Sequence, residues 1–486
     1  MPDILLTTLN ARFSHSAFGL RYLLANMQEL TARTALREFS LGLRERDMVE
    51  AILAENPRIV GLSVYIWNVT PLTAVCRLLK AVRPDLILVL GGPEVSHEWE
   101  SSPIIEIADY LVKGEGDLVF AQLCRDLLEG RTPQSKVLEG GLPPLERLES
   151  PYGMYSDFDL QHGRIIYVEA SRGCPFRCHF CLSSLDRSVR AFPLEPFLRE
   201  MQRLLERGVR HFKFVDRTFN LKAETSEQIL SFFLVRYTPG LFLHFEMIPD
   251  RLPDSLKPII AAFPPGVLQF EVGIQSFDPE VCARIGRRQN FQTLRENLTY
   301  LAENTGVHVH ADLIAGLPGE DLETFGRGFD QLVALKPAEI QVGILKRLKG
   351  TPITQADACW EMTYAPEAPY EIIRNSVLSF QELQRIQRFS RYWDLVANSG
   401  RFLSSLPRIL QDSPFTNFMA FADWLHQQVG ATHGIALQRL EKLIALYLGA
   451  DHEEAQPVTA DSGATQSRLP SRQNRRLNEA GLAQRG

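Results

Sequence analysis

Short apolar runs of strand type alternate with helically spaced apolar residues through the first 140 positions. The runs are Ile4–Thr8, Ile59–Val64, Leu86–Leu90 and Tyr110–Val112. Between them lie Phe18–Glu29, Asp47–Glu55, Leu72–Val82 and Leu118–Glu129, each patterned as a helix. This alternation predicts a doubly wound parallel sheet over residues 1–140. Gly140–Pro144 and Ser150–Gly153 are rich in Pro and Gly and predict a connector over residues 141–160. Six further strand-type runs then follow at intervals of about 30 residues, the size of a βαβ unit. They are Ile165–Ala170, His211–Val215, Phe242–Met247, Leu268–Ile274, Val307–Leu313 and Glu339–Ile344. Glu195–Arg207, Ala223–Arg236 and Phe291–Glu303 are among the helical stretches that separate them. Six units rather than eight predict an open, partial (β/α)₆ barrel across residues 161–355. From residue 356 to 450 the spacing is helical, at Glu371–Ala397, Asn417–Val429 and Ile435–Leu448, and predicts an α-helical domain. From about Asp451 to the end, residues 451–486 hold few large apolar side chains and predict a disordered tail. The expected class is α/β with a helical C-terminal domain.

A chain of 486 residues fits roughly three domains at about 150 residues each. No run of 18 uncharged apolar residues occurs, so no transmembrane helix is expected. The first ten residues, MPDILLTTLN, lack the basic start and apolar centre of a signal peptide and predict a first strand instead. The net charge of −6 gives no global case for nucleic acid, which is not expected as a partner. Cys76, Cys124, Cys282 and Cys359 are scattered and are expected to be buried small hydrophobes, in a reduced, cytoplasmic setting.

The remaining three cysteines stand together in Ser171–Ser184, SRGCPFRCHFCLSS: Cys174, Cys178 and Cys181, with Phe180 before the last. Thiolates hold iron–sulfur clusters, and a [4Fe–4S] cube normally takes four. Three would leave one iron open to a further ligand, as in open metal sites generally. The loop follows a strand, so it stands at a carboxyl end, where barrel enzymes keep their active sites. A zinc site completed by His179, or a disulfide with a spare thiol, would use the same residues.

Polar groups recur at later strand ends. FVDRTFN offers Asp216, Thr218 and Asn220; HFEMIPDR offers Glu246 with Arg251 beyond; EVGIQSF offers Gln275 and Ser276. Plain structural alternatives are a surface pair of Asp216 with Arg217, and helix caps at Glu271 or Asp312. In the first domain the strand ends are Asn10–Gly19, with Ser14 and His15, then Ser63–Asn68, Gly91–Ser96 and Gly114–Asp117. Ligands of doubly wound sheets bind at such ends. Glycine there, at Gly91, Gly92, Gly114 and Gly116, allows close approach. RLKGT at Arg347–Thr351 is either a contact for an anionic substrate or a solvated loop.

The C-x₃-C-x-aromatic-C loop after a first barrel strand resembles that of the radical S-adenosylmethionine (SAM) enzymes. GGPEVS followed by KGEGD resembles the cobalamin-binding domain ahead of many such barrels. The block from Tyr364 to Leu448 resembles an uncharacterised helical domain that follows some cobalamin-dependent members. The resemblance implies a [4Fe–4S] cluster, SAM, and cobalamin as a second cofactor. It implies cleavage of SAM to methionine and a 5′-deoxyadenosyl radical, then methyl transfer to an unactivated carbon of a metabolite. A ring-forming or rearrangement reaction and a non-catalytic cofactor-binding protein are the alternatives. By the same resemblance Glu246 and Arg251 would hold the methionine part of SAM, Gln275 and Ser276 the ribose, and Ile314, Gly316 and Phe180 the adenine. An electron donor such as flavodoxin or ferredoxin is implied. His15 departs from the Asp-x-His-x-x-Gly pattern of cobalt-ligating loops, since no aspartate stands two before it and glycine lies four after it.

Overall fold

The computed structural model describes residues Met1–Gly449; the tail expected from Asp451 lies outside them. Six parallel strands form the first sheet in the order β2-β1-β3-β4-β5-β6. They are β1 (Ile4–Asn10), β2 (Thr34–Ser40), β3 (Ile59–Ser63), β4 (Ile87–Gly91), β5 (Tyr110–Lys113) and β6 (Val137–Glu139). The order reverses between β1 and β3, which makes their carboxyl ends the switch point of the sheet. Four strands were legible as apolar runs because they are buried on both faces. The edge strands β2 and β6 were not: TALREFS is half-buried throughout and carries the charged pair Arg37–Glu38 at its centre, and β6 has only three residues. The helix expected from Phe18 to Glu29 stops at Ala25, and a 3₁₀ turn, Gln28–Arg33, leads into β2.

The connector is packed rather than loose. Asp159 and Arg164 join Arg21 and Glu38 in a buried network, with Arg21 2.8 Å from Glu38 and 2.9 Å from Asp159. The guanidinium of Arg21 also lies 4.7 Å from the centre of the Tyr155 ring. This ties the first sheet to the start of the barrel.

The second sheet has six parallel strands in the order β14-β13-β12-β11-β10-β7. These are β7 (Ile166–Val168), β10 (His211–Phe214), β11 (Phe242–Met247), β12 (Leu268–Gln275), β13 (His308–Ala315) and β14 (Glu339–Ile344). A short antiparallel pair, β8 (Ser171–Arg172) with β9 (Arg190–Ala191), closes the base of the cysteine loop. Alternate residues of β12 and β13 are buried and join the helix-packed core. The other face of these strands carries Glu271, Gly273 and Gln275, and His310 and Asp312.

An open barrel has two bare edges, and unpaired strand edges invite wrong partners. Here side chains fill them. At β7 the Tyr155 hydroxyl accepts the N–H of Tyr167 and donates to its carbonyl, both at 2.9 Å. The Tyr152 hydroxyl treats Glu169 the same way at 3.1 Å. At β14 Asn398 brackets Ile340, and the Ser390 hydroxyl donates to the carbonyl of Val342.

Ser390 and Asn398 belong to the C-terminal region. Its first helix, Phe380–Val396, begins later than the expected Glu371 because Ser379 and Glu382 form a capping box that fixes the start. Ahead of it, β16 (Ile372–Arg374) pairs with β15 (Thr363–Tyr364). Helices Pro414–Val429 and Leu437–Tyr447 follow. Phe389 and Trp393 pack against Phe329, and Phe418 packs on both of them, which seats this region on the barrel. Among the described residues no helix is long and apolar enough to cross a membrane. Cys76, Cys124 and Cys282 are buried as expected, whereas Cys359 is exposed on the short helix Asp357–Trp360.

Candidate functional site

Cys174, Cys178 and Cys181 line one cavity of about 260 Å³ at the carboxyl ends of the barrel strands. All seven cysteines are free. Among the described residues no three His, Cys, Asp or Glu side chains converge on a single-ion site. His179 turns away: its ring lies where a side chain on Gly286 would stand. The zinc arrangement with His179 therefore does not form. Three thiols around a shared cavity suit a cluster of several irons, each iron close to one sulfur.

The opposite wall comes from the strand ends. Phe180, Glu246 and Gln275 line the same cavity. Gln275 stands out physically. Its φ of 73° puts a non-glycine residue in the left-handed region, and β12 breaks register with β13 between Gly273 and Gln275. The side chain folds over Gly273, and its Oε1 is buried without a partner. Strain of this kind collects at functional sites.

Glu246 receives Arg217 at 2.8 Å. Burial pushes the Glu246 carboxyl up, against the pull of Arg217. Burial also acts on Glu271, but a 2.9 Å hydrogen bond from His244 and the charge of Lys213 overcome it and hold Glu271 at about 2. Asp312 is pushed well up, by burial and then by the charges of Glu271 and Glu246. Two carboxyls of the cavity are thus shifted in opposite directions, Glu271 held down and Asp312 pushed up.

Some residues that line the cavity were not picked out from the sequence as binding groups. Arg287 approaches the Cys178 sulfur at 3.6 Å and also donates to the Gly273 carbonyl; its Nε is buried and unpartnered. Gln289 has a buried, unpartnered Oε1, while Asp312 Oδ1 has His310 Nε2 at 3.5 Å. Three residues of the cavity wall, Gln275, Arg287 and Gln289, thus carry a buried polar atom without a hydrogen-bond partner, which native structures seldom leave unexplained. No periodicity marks GRRQN, a loop after a short helix, so nothing in the pattern distinguished it.

Other expected residues stand elsewhere. Asp216 accepts the Ala170 N–H at 2.9 Å and the Ser171 hydroxyl at 2.7 Å, so it anchors the start of the cysteine loop instead of pairing with Arg217 at the surface. Arg251 lies over the Phe176 ring, 5.3 Å from its centre, outside the cavity. Ser276 turns to Glu320 at 2.5 Å. Gly316 packs against Ile372, not the cavity, and Ile314 is not in the cavity wall. Neither Glu271 nor Asp312 caps a helix. RLKGT is neither solvated nor in the cavity: Arg347 and Lys349 pair with Glu98 and Glu94 of the first domain.

The first domain presents its strand ends to the barrel. His15 Nδ1 meets the Tyr167 hydroxyl at 2.5 Å, while the Ser14 carbonyl accepts the Ile165 N–H. Burial, then the charges of Lys213, Arg12 and Arg164, lower the pKa of His15. Ser63 is buried at the end of β3. The glycines do not simply make room. Gly92 has φ 107°, and a side chain there would come within 2.5 Å of the Val64 carbonyl oxygen. Gly91 faces the backbone of Val112, Gly116 its side chain, and Gly114 lies near Gly141. In KGEGD the carboxylates of Glu115 and Asp117 grip Arg172, beside the cysteine loop, at 2.8 and 3.0 Å. An apolar rim surrounds the switch point. Tyr65 and Trp67 stack with centroids 4.4 Å apart, and Trp67, Leu41 and Leu43 are exposed. Trp67 donates to the Leu9 carbonyl, and the Leu41 N–H donates to that of Asn10. Exposed apolar groups of this kind at strand ends mark a place for a ligand or partner.

Comparison with known families agrees. The radical SAM superfamily model matches residues 168–332, and that of the B12 binding domain matches residues 4–124. A stretch similar to radical SAM domains thus follows one similar to B12 binding domains. Residues 358–461 match a family of unknown function, DUF4080. The chain is 27% identical over 315 residues to 2-(S-pantetheinyl)-carbapenam-3-carboxylate methyltransferase of Streptantibioticus cattleyicolor, covering 57% of this chain and 45% of that one. It is 26% identical to the cobalamin-dependent radical SAM methyltransferase TokK of Streptomyces tokunonensis, covering 59% and 46%. The chain thus spans less than half the length of these two relatives. Its fold matches the radical SAM methyltransferase TsrM of Kitasatospora setae, solved with cobalamin and a [4Fe–4S] cluster. The TM-score is 0.59 at 19% identity, covering 75% of this chain and 76% of that one.

Proposed function

We propose that this protein is a cobalamin-dependent radical SAM methyltransferase acting on a small molecule. The observation that carries the reading is the shared cavity: three thiols on one wall, and on the others Gln275, Arg287 and Gln289, each with an unpartnered polar atom. When bound, the cluster and SAM would supply a carbon-centred radical, and the corrinoid a methyl group. Cys174, Cys178 and Cys181 would hold the cluster. Glu246 would receive an ammonium group and Arg287 a carboxylate, both by charge-assisted hydrogen bonds. Gln275 and Asp312 would pair with hydroxyls, and Phe180 would cover an apolar face. In the first domain the Tyr65–Trp67 pair would lie against the corrin, with Ser14, His15 and Ser63 at the same strand ends. His15 is already engaged by Tyr167 and is a poor cobalt ligand. The setting is cytoplasmic, and flavodoxin or ferredoxin would supply electrons.

The test is anaerobic reconstitution with iron, sulfide, SAM and cobalamin, followed by mass spectrometry. Wild type is expected to take up both cofactors and form 5′-deoxyadenosine; the Cys174→Ala, Cys178→Ala, Cys181→Ala triple variant should lose cluster absorbance and form none. Cluster retention in the triple variant, or no cobalamin uptake by wild type, would overturn the assignment.

A further inference from the structure

The loop after β4 meets the segment after β14 in a cluster that neither cofactor site uses. Glu94 accepts Lys349 Nζ at 2.9 Å and the Tyr370 hydroxyl at 2.8 Å. Only 3% of the Glu94 side chain and 9% of that of Lys349 are exposed. Four residues on, Glu98 accepts Arg347 Nη2 at 2.8 Å and the Gly350 N–H at 2.9 Å. Glu98 and Tyr370 have φ of 46° and 52°. Non-glycine residues seldom take that conformation unless their surroundings impose it.

The same segment reaches the barrel at its other end. The Ile372 N–H donates to the Leu345 carbonyl at 2.8 Å, and the Arg347 N–H to that of Tyr370 at 3.0 Å. Ile372 Cγ2 sits 2.5 Å from where a side chain on Gly316 would begin, and Asn375 donates to the Gly316 carbonyl at 3.4 Å. Residues 370–375 therefore touch the loop holding Gly91 and Gly92 at one end and the turn after β13 at the other. Ser96 extends the first contact, donating to the Gly92 carbonyl and accepting the Gly114 N–H.

We propose that residues 370–375, at the opening of the DUF4080 region, are a brace that fixes the spacing of the two cofactor sites, with Glu94 and Tyr370 as its positioning residues. The proposal rests on the two-cofactor reading above. Domains of one chain move relative to each other unless their interface prevents it. A misplacement of about 1 Å can cost on the order of 100-fold in rate. A reaction shared between two domains needs such a fixture.

Hydrogen exchange by mass spectrometry on the full-length, cluster-loaded protein tests this. The amides of Glu94 and Val95, bonded to the carbonyls of Val64 and Gly92, are the probes. In wild type, saturating SAM should slow their exchange about five- to tenfold, the lower range of ordinary coupling between sites. In Tyr370→Phe and Glu94→Gln, which keep the side-chain volumes, SAM should bind with unchanged affinity while the loop's response falls below about twofold. An equal response in the variants, or none in wild type with SAM bound, overturns the brace. A cobalamin titration of the same samples separates the two ideas. Failure of wild type to take up cobalamin overturns the two-cofactor reading and the brace with it; cobalamin uptake with an equal response in the variants overturns the brace alone.

Discussion

Replacing Arg172 with methionine should cost far more than the loss of one ion pair. Its guanidinium reaches three carboxylates: Glu115 at 2.8 Å, Glu169 at 3.0 Å, and Asp117 at 3.0 and 3.3 Å. The side chain is 14% exposed and packs 4.6 Å from the centre of the Tyr22 ring. Methionine would keep much of the packing. Glu115 would keep Arg190 as a partner, but Asp117 and Glu169 would be left buried without a cation. Breaking a buried pair costs about 3–5 kcal/mol, against about 0–1 kcal/mol for a surface pair. Lysine should rescue little, since one ammonium cannot match a fork that faces three groups. The assay is urea unfolding followed by far-UV circular dichroism and by the fluorescence of Trp67 and Trp99, which report on the first domain. The decisive comparison is Arg172→Met against Arg172→Met with Asp117→Asn and Glu169→Gln. Neutralising the orphaned carboxylates should recover at least about half of the loss, because most of it is the penalty for unpaired charge. Because Arg172 lies two residues before Cys174, iron loading should fall in the single variant and return in the triple one. A loss below about 1 kcal/mol in Arg172→Met would place the cluster among surface ion pairs and refute the reasoning.

Gln275→Ala should weaken SAM binding about two- to tenfold by calorimetry, as for one neutral hydrogen bond. Gln275→Gly should lose the same contact but melt higher than the alanine variant, because glycine relieves the φ of 73°; equal melting temperatures would contradict the strain. Glu320 is pushed up to about 8, by burial and then by Asp278 and Asp321, against its hydrogen bond from Ser276. Between its unfolded value and about 8 the native state holds a proton that the unfolded chain has released, so stability should fall as pH rises through that window. Glu320→Gln should flatten the fall in thermal melts, and a constant gap between the two proteins from about pH 5 to about pH 8 would count against this account.

The legible parts of the molecule are those where one physical signal dominates. Strands buried on both faces read as apolar runs, and β11 and β14 fall at the bounds their runs predicted. The cysteine spacing carried its chemistry in three residues. What stayed hidden depends on long-range contacts. Strand β2 owes its place to pairing with β1 and to Glu38, which faces Arg21 and Arg164. Arg287 reaches the cavity only because the loop after a six-residue helix folds back over Gly273. Glycine was read as space for a ligand at Gly92 and Gly316, yet at both positions the space is filled by the protein itself. A glycine in sequence shows that something comes close; only the fold shows what.

The polar inner face of the barrel bears on substrate size. In a closed eight-stranded barrel the interior is packed with apolar layers. Here Lys213 stands 3.7 Å from Glu271, His244 2.9 Å from the same carboxylate, and His310 3.5 Å from Asp312. Unpaired, these groups would be costly in an apolar interior, and even paired ones seldom improve on a hydrophobic filling. Their presence on three neighbouring strands and the next, β10 to β13, is therefore the mark of a chamber, not of a core. Tyr152 and Tyr155 close one edge of that chamber and Asn398 and Ser390 the other, so the sheet need not curl further to hide its backbone. The His15–Tyr167 contact brings the first domain's strand ends to the edge strand beside Lys213. A substrate held between the two domains would thus meet ionisable groups on the barrel side and the Tyr65–Trp67 rim on the other, which favours a compact molecule with both polar and apolar parts over a long polymer.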